Sequence, residues 1–309
     1  SIFIRINLIM KLGFVIYKKN IMNQAKLFID LTRLKKPIGF MLLFWPCAWG
    51  LTLAYNFSSS LKSYFYYLCL FFLGSVLMRS AGCIVNDILD KEFDSKVFRT
   101  KNRPIASGKI SVKIAIFYSL LLCFLALIVL INFNLFTIIL ALASMPLAFT
   151  YPLMKRFTYW PQLFLGVTFN YGLILGWTSI SNEIILIPII FYFGAIFWTL
   201  GYDTIYGYQD IQDDEIIGLK STSIKFKNNA KSFLQICYLI LISSFLIGGY
   251  LMNFNYYYFI FLIFPITHLF FYQIKKFKSK DSNLCLKIFK SNNFLGLIFF
   301  INILIGKLF

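Results

Sequence analysis

YFYYLCLFFLGSVLMRSAGCIVNDILDKEFDSKVFRTKNRPIASG, residues 64–108, begins as an apolar run and ends as a dense patch of charge. Between 64 and 85 the only charged side chain is Arg79, and a run of roughly 20 such residues crosses a bilayer as a helix. Immediately afterwards Asp87, Asp90, Glu92 and Asp94 fall within eight positions, although the chain has only 12 acidic residues. Arg99, Lys101 and Arg103 follow. One stretch therefore announces a membrane-spanning fold and asks why charge of both signs gathers where a span ends.

The remainder of the chain repeats the first half of that pattern. It has 309 residues, 59% of them hydrophobic, 20% aromatic and 14% charged, with mean hydropathy +0.75. A soluble protein of this length needs far more polar surface. Apolar runs lie near 38–56, 64–85, 112–131, 135–153, 161–180, 185–203, 233–252, 256–274 and 291–309. Backbone groups in lipid are satisfied only in helices or closed barrels, and these runs lack the alternation of barrel strands. The expected class is an all-α polytopic membrane protein with about nine transmembrane helices.

Basic residues set the topology. With the N-terminus cytoplasmic, the segments on that side are 1–36, 86–113, 154–160, 204–232 and 275–290. They hold every Lys and Arg except Lys62, Arg79 and Lys307, as the positive-inside rule requires. The net charge of +18 then reflects topology and attraction to anionic headgroups, not nucleic-acid binding. The six cysteines have no metal-site spacing, and lone His268 reads as packing. Residues 1–21 mix basic and apolar side chains without an A-x-A cleavage site. They are read as an extension preceding a single domain over 22–309.

A second acidic cluster, YDTIYGYQDIQDDEIIGLKST at 202–222, follows the sixth span and contains Asp203, Asp210, Asp213, Asp214 and Glu215. At about 100° per residue, Asn86, Asp87, Asp90 and Asp94 share one stripe of a continued helix, and Glu92 points away. Asp203, Tyr206, Asp210 and Asp214 share another, with Asp213 at its edge and Glu215 off it. Stacked carboxylates repel unless a cation lies between them. Oxygen-only ligands suit Mg²⁺, which is commonly completed by substrate phosphates. Arg99, Lys101, Arg103 and Lys220 are placed to neutralise phosphate oxygens. Mg²⁺, a diphosphate and an apolar bundle together describe a site for a polyprenyl diphosphate.

The motifs resemble those of the UbiA-type intramembrane prenyltransferases. They include N-D-x-x-D-x-x-x-D from Asn86 to Asp94, R-T-x-N-R-P from Arg99 to Pro104, and S-G at Ser107 and Gly108. The second motif, with KPIG at Lys36–Gly39, LLFWP at Leu42–Pro46, MRSAGC at Met78–Cys83, YPLMKR at Tyr151–Arg156 and NNFLGL at Asn292–Leu297, extends the likeness from about residue 25 to the C-terminus. Within the family the likeness is to the 4-hydroxybenzoate polyprenyltransferase branch of ubiquinone synthesis; Gly207 stands where that branch usually has Ala.

That resemblance implies helices around a central cavity capped by two acidic cytoplasmic loops, and Mg²⁺-dependent transfer of a prenyl group to the carbon ortho to the phenol of 4-hydroxybenzoate. Asp87, Asp90 and Asp94 with Asn86, and Asp210 with Asp214, become the Mg²⁺–diphosphate sets. Arg33, Arg79, Lys101, Arg103, Lys155 and Arg156 become phosphate or carboxylate binders, Arg79 foremost as a charge inside a span. Asp203 and Tyr206 become the groups that polarise the phenol or take the ring proton. No obligate protein partner is implied, and the expected location is a bacterial or mitochondrial inner membrane. Rival readings are a sister enzyme using a haem or naphthoate acceptor, and a cation transporter. A transporter would place its ionisable groups near the midplane on several helices, whereas here they gather at one interface.

Overall fold

The structure, a computed structural model, describes residues 23–308; the expected extension at 1–21 lies outside them. A short helix α1 (residues 23–32) precedes α2 (Ile38–Ala54), α3 (Leu61–Leu89), α4 (Lys91–Lys96), α5 (Val112–Leu130) and α6 (Leu135–Thr150). Then come α7 (Met154–Phe157), α8 (Pro161–Ser181), α9 (Leu186–Gly207), α10 (Ile211–Ile216), α11 (Thr222–Lys225) and α12 (Ala230–Leu251). The chain closes with α13 (Tyr256–Phe261), α14 (Ile263–Thr267), a π-helical stretch His268–Ile274, and α15 (Ser282–Leu308).

Among the described residues, 8 segments are long and apolar enough to cross a membrane, and α2 is a shorter apolar helix of 17 residues beside them. The expected all-helical membrane architecture therefore holds. Helix limits extend past the apolar runs: α3 continues to Leu89, α9 to Gly207, and α15 begins at Ser282. Local chemistry explains several starts. Asn134 accepts from the Thr137 N–H at 2.9 Å and Ser111 from the Ile114 N–H at 3.3 Å, satisfying donors that a first turn leaves open. The span Tyr256–Ile274 is irregular because Pro265 brings no N–H to the ladder. Its π-helical end turns the side chain of Gln273 into the core, where it is fully buried.

The bundle is tightest between α2 and α8. A Cβ on Gly50 would lie 1.9 Å from the Leu173 carbonyl oxygen, and one on Gly176 would lie 2.3 Å from that of Cys47. In lipid, where apolar side chains gain little by leaving the surroundings, such close backbone approach is what packing rewards. Around this seam Trp49 on α2 meets Trp198 on α9 at 5.0 Å, Phe299 on α15 at 5.5 Å and Phe245 on α12 at 5.6 Å. A smaller cluster of Leu31, Ala81, Ile84, Ile105, Ile110, Ala115 and Leu122 ties α1, α3, α5 and the loop after α4 together. Phe65, Phe117, Phe124 and Leu135 face outward, as the lipid-facing surface of a spanning bundle requires. Gly50→Ala should force α2 from α8 and destabilise the protein by at least the ~1–3 kcal/mol of core overpacking. Thermal unfolding in detergent measures this, and an unchanged midpoint would contradict the backbone-contact account.

Two sets of loop contacts define the ends of the bundle. At one end Asn134 Nδ2 donates to the Thr178 carbonyl at 2.8 Å and Lys307 Nζ to that of Leu53 at 3.1 Å. At the other end the loops after α3, α6 and α9 meet, and the two acidic motifs meet with them.

Candidate active site

The first motif lies across a deliberate helix break. Asp90, at φ −97° and ψ 7°, ends α3 after its N–H has bonded the Asn86 carbonyl at 2.9 Å. The Asp94 N–H then bonds the Asp90 carbonyl at 2.8 Å as α4 begins. Four-residue spacing thus survives the break. Asp87, Asp90 and Asp94 are 2%, 1% and 7% exposed, whereas Glu92 is exposed. Carboxylates this buried need partners.

Three other segments supply them. Arg33, in the turn after α1, binds Asp87 and also points Nη1 at Cys83 Sγ, 3.7 Å away. Its φ of 57° is left-handed, a region disfavoured for a side chain of this size. Arg103 Nη1 bridges Asp87 at 3.1 Å and Asp94 at 2.6 Å. Lys155 Nζ, on α7, sits 2.5 Å from Asp90 Oδ2, which also accepts from Asn86 Nδ2 at 3.1 Å. Arg156 donates to the Leu89 carbonyl at 2.6 Å, closing the end of α3, and lies 3.7 Å from Asp90 Oδ1.

The second motif hangs from α9. Asp203 and Tyr206 lie on its last turns, Asp210 precedes α10, and Asp214 lies on α10. Arg99 reaches across from the first loop: its Nε donates to Asp210 Oδ1 and Oδ2 at 2.8 and 2.9 Å, and its Nη1 to Tyr206 Oη at 3.4 Å. Tyr206 in turn packs on Phe289 at 4.4 Å. Burial, then repulsion from Asp210, pushes the Asp214 carboxyl up to about 6, with Lys155 and Arg99 offsetting only part of the shift. Glu215 faces outward and pairs with Lys227 at 2.7 Å.

Beneath these pairs lie two charges of another kind. The Arg79 guanidinium sits 5.3 Å over the Phe169 ring, and a Cβ on Gly39 would come within 2.8 Å of its Nε. That Nε is buried with no hydrogen-bond partner. Among the described residues neither Arg79 nor Asp203 makes a hydrogen bond or ion pair, although the two lie within electrostatic reach of one another. Arg33, Arg99, Arg103, Lys155 and Arg156 are each matched with a carboxylate, and Arg79 is not.

Most of the residues singled out from the sequence come together at this end of the bundle. Lys101 and Lys220, however, are not brought to the carboxylates. Lys101 Nζ lies 4.5 Å over the Phe98 ring, and Lys220 Nζ donates to the Phe157 carbonyl at 3.3 Å. Spacing in a loop does not say which way a lysine turns. Sequence reasoning missed Phe169 as the seat of Arg79, and it missed a buried polar chain below the site. There Trp198 Nε1 donates to Asn292 Oδ1 at 2.8 Å, Gln273 Nε2 to the same oxygen at 3.0 Å, and Tyr238 Oη to Gln273 Oε1 at 2.6 Å. Asn292 and Gln273 were visible as polar residues within apolar stretches, a signal in its own right.

The carboxylates are not gathered into a ready-made metal cage: among the described residues no three Asp, Glu, His or Cys side chains cluster for an ion. Their donor chemistry nevertheless fits Mg²⁺. It is oxygen only, it is divided between two facing motifs, and Asp90 Oδ1 is buried without a hydrogen-bond partner. An ion that keeps waters and takes further ligands from substrate phosphates needs few protein oxygens from each side.

Comparison with known proteins agrees with this arrangement. The UbiA prenyltransferase family profile matches residues 43–304. The mitochondrial 4-hydroxybenzoate polyprenyltransferase of Bos taurus is 42% identical, over 91% of this chain and 75% of its own. The 4-hydroxybenzoate geranyltransferase 2 of Lithospermum erythrorhizon is 39% identical, over 93% and 92%. A UbiA homologue from Archaeoglobus fulgidus, solved with GPP and Mg²⁺ bound, superposes with TM-score 0.65 at 18% identity, covering 91% of this chain and 99% of that one. With its acidic motifs facing one another at the end of a helical membrane bundle and this sequence likeness along nearly its whole length, the chain belongs to the UbiA prenyltransferase family.

Proposed function

We propose that this protein transfers a polyprenyl group from polyprenyl diphosphate to the ring carbon ortho to the hydroxyl of 4-hydroxybenzoate, as a step of ubiquinone biosynthesis. The observation that carries the reading is the unpaired Arg79 beside unpaired Asp203, beneath a layer of matched ion pairs. A guanidinium whose buried Nε has no hydrogen-bond partner and which forms no ion pair is disfavoured, and the carboxylate of a small aromatic acid supplies the contact that Arg79 lacks. The names of the Bos taurus and Lithospermum erythrorhizon relatives support the acceptor.

In this reading the reaction breaks the C–O bond between the prenyl carbon and the diphosphate and forms a C–C bond to the ring, and the ring proton leaves. Asp87, Asp90, Asp94, Asp210 and Asp214 would hold Mg²⁺, which when bound neutralises the charge growing on the diphosphate. Arg33, Arg103 and Lys155 stand over those carboxylates and present N–H groups to the departing phosphate oxygens. Asn86 adds a further polar contact. Asp203 is the free carboxylate available to hold the phenol proton or receive the ring proton, and Tyr206 lines the same side. The buried rings of Phe169, Trp198 and Tyr202 below the motifs would help to exclude water, so that an allylic cation meets the ring before water.

The direct assay incubates membranes containing the protein with Mg²⁺, a polyprenyl diphosphate and, separately, 4-hydroxybenzoate, a dihydroxynaphthoate or haem precursor. Transfer to 4-hydroxybenzoate alone is expected; EDTA should abolish it and added Mg²⁺ restore it. Full activity in chelator, or preference for another acceptor, would overturn the reading.

The proposed setting is a bacterial or mitochondrial inner membrane with the N-terminus and the acidic loops on the cytoplasmic or matrix side. Lys96→Cys and Lys227→Cys are then expected to react with impermeant thiol reagents only from that side, and Phe57→Cys only from the opposite one. The reverse pattern would invert the topology.

A further inference from the structure

At the same end of the bundle as the acidic motifs, but outside them, lies an open surface pocket of about 540 Å³ between the start of α12 and the link from the π-helical stretch to α15. Lys227, Asn229, Lys231, Lys278 and Lys280 line it, over a floor that includes buried Phe277. Lys227 is already neutralised by Glu215. Lys231, Lys278 and Lys280 make no ion pair among the described residues, and the nearest carboxylate in sequence, Asp281, is engaged in capping the Leu284 N–H at 2.9 Å. Three ammonium groups without an ion pair, against the one carboxylate of Asp281 nearby, leave this pocket net positive and favour an anion between them. Asn229 leaves the first turn of the 22-residue α12 without a side-chain cap, so backbone N–H groups add to the same field.

The pocket sits where two spans end, and the spans below it carry exposed apolar side chains: Ile236 and Leu239 on α12, Phe264 and Phe271 on the other. We propose that this pocket is a binding site for the phosphate headgroup of an anionic phospholipid, whose acyl chains lie along those helices. A basic pocket between helices at the membrane interface suits such a lipid, and charge and apolar flank agree here. The site is separate from the one that carries the proposed function and does not depend on it.

The test uses the full chain purified in detergent and exchanged into mixed phosphatidylglycerol–phosphatidylcholine nanodiscs. Lipid retained by the protein is then measured by native mass spectrometry. Preferential retention of phosphatidylglycerol is expected, falling roughly tenfold or more in Lys231→Gln/Lys278→Gln/Lys280→Gln, since each basic residue near an anionic surface contributes a comparable increment. Lys231→Gln and Lys278→Gln alone should each give a smaller loss, which keeps the test decisive should the triple variant fold poorly. Lys275→Gln/Lys287→Gln/Lys290→Gln removes as many charges from the same end without touching the pocket, and should retain the lipid. Equal loss in that control would show diffuse surface attraction and overturn the site. So would undiminished retention in the triple variant, or displacement of the lipid by inorganic phosphate or pyrophosphate, which would mark a site for free anions.

Discussion

Asp90→Asn is expected to lower prenyl transfer by ~10²–10³, the usual effect of removing one preorganised electrostatic group from a charged transition state. Asp90 is the most buried carboxylate of the first motif, and its Oδ2 holds both Lys155 and Asn86. Its Oδ1 is the buried oxygen with no hydrogen bond. The amide keeps the shape but loses the charge that orders Lys155 and would bind the metal. Asp90→Ala goes further and leaves Lys155 and Arg156 facing a void, so its effect mixes chemistry with ~3–5 kcal/mol of lost folding stability. Glu92→Ala, two residues away on the exposed face, should change the rate within roughly a few-fold, because a solvated charge contributes little. Glu215→Ala should behave likewise, since its pair with Lys227 is a surface pair. Rates are compared at saturating 4-hydroxybenzoate and matched expression. Equal damage from Glu92→Ala and Asp90→Asn would refute the assignment of the buried face.

The second large effect is expected at Arg79. If its guanidinium holds the acceptor carboxylate, Arg79→Ala removes one partner of a desolvated charge pair, at about 2–5 kcal/mol. That corresponds to a fall in kcat/KM for 4-hydroxybenzoate of roughly 30-fold to several thousand-fold. A neutral acceptor separates this role from a structural one. The native protein should discriminate strongly against 4-hydroxybenzamide, and Arg79→Ala should lose that discrimination while its KM for the prenyl diphosphate stays near normal. If the variant is impaired equally with both acceptors, Arg79 supports the fold or the diphosphate instead.

The sequence made the bundle legible because lipid imposes one solution on long apolar runs, and basic residues mark one end of it. The first carboxylate set was legible as one buried face because of its helical spacing, whereas the single stripe expected of the second is interrupted, since α9 ends at Gly207 and α10 begins at Ile211. The spacing of the first survives the break at Asp90, where α3 hands over to α4 without losing its hydrogen-bond rhythm. Partners were harder. Arg33 reaches Asp87 across 54 residues and Lys155 reaches Asp90 across 65, and no local rule fixes such pairings. The charged end of α3 also runs further than hydropathy implies, since Arg33 and Arg103 pair there with Asp87, a side chain that a lipid-facing helix could not carry. Lys101 and Lys220 illustrate the converse: a basic residue in the right loop turned to an aromatic ring or a carbonyl instead. The α2–α8 seam rests on Gly50 and Gly176, whose importance appears only once the two backbones meet.

The central claim is the chemistry at the acceptor ring, and structural analysis of the product tests it most directly. Membranes containing the protein are incubated with Mg²⁺, 4-hydroxybenzoate and a polyprenyl diphosphate, and the product is isolated for mass spectrometry and proton NMR. The account predicts a 4-hydroxybenzoate that retains its free carboxylate and phenol and carries one prenyl group on the carbon ortho to the hydroxyl. An O-prenyl ether or ester, or no adduct at all from protein that is folded and inserted, would contradict it.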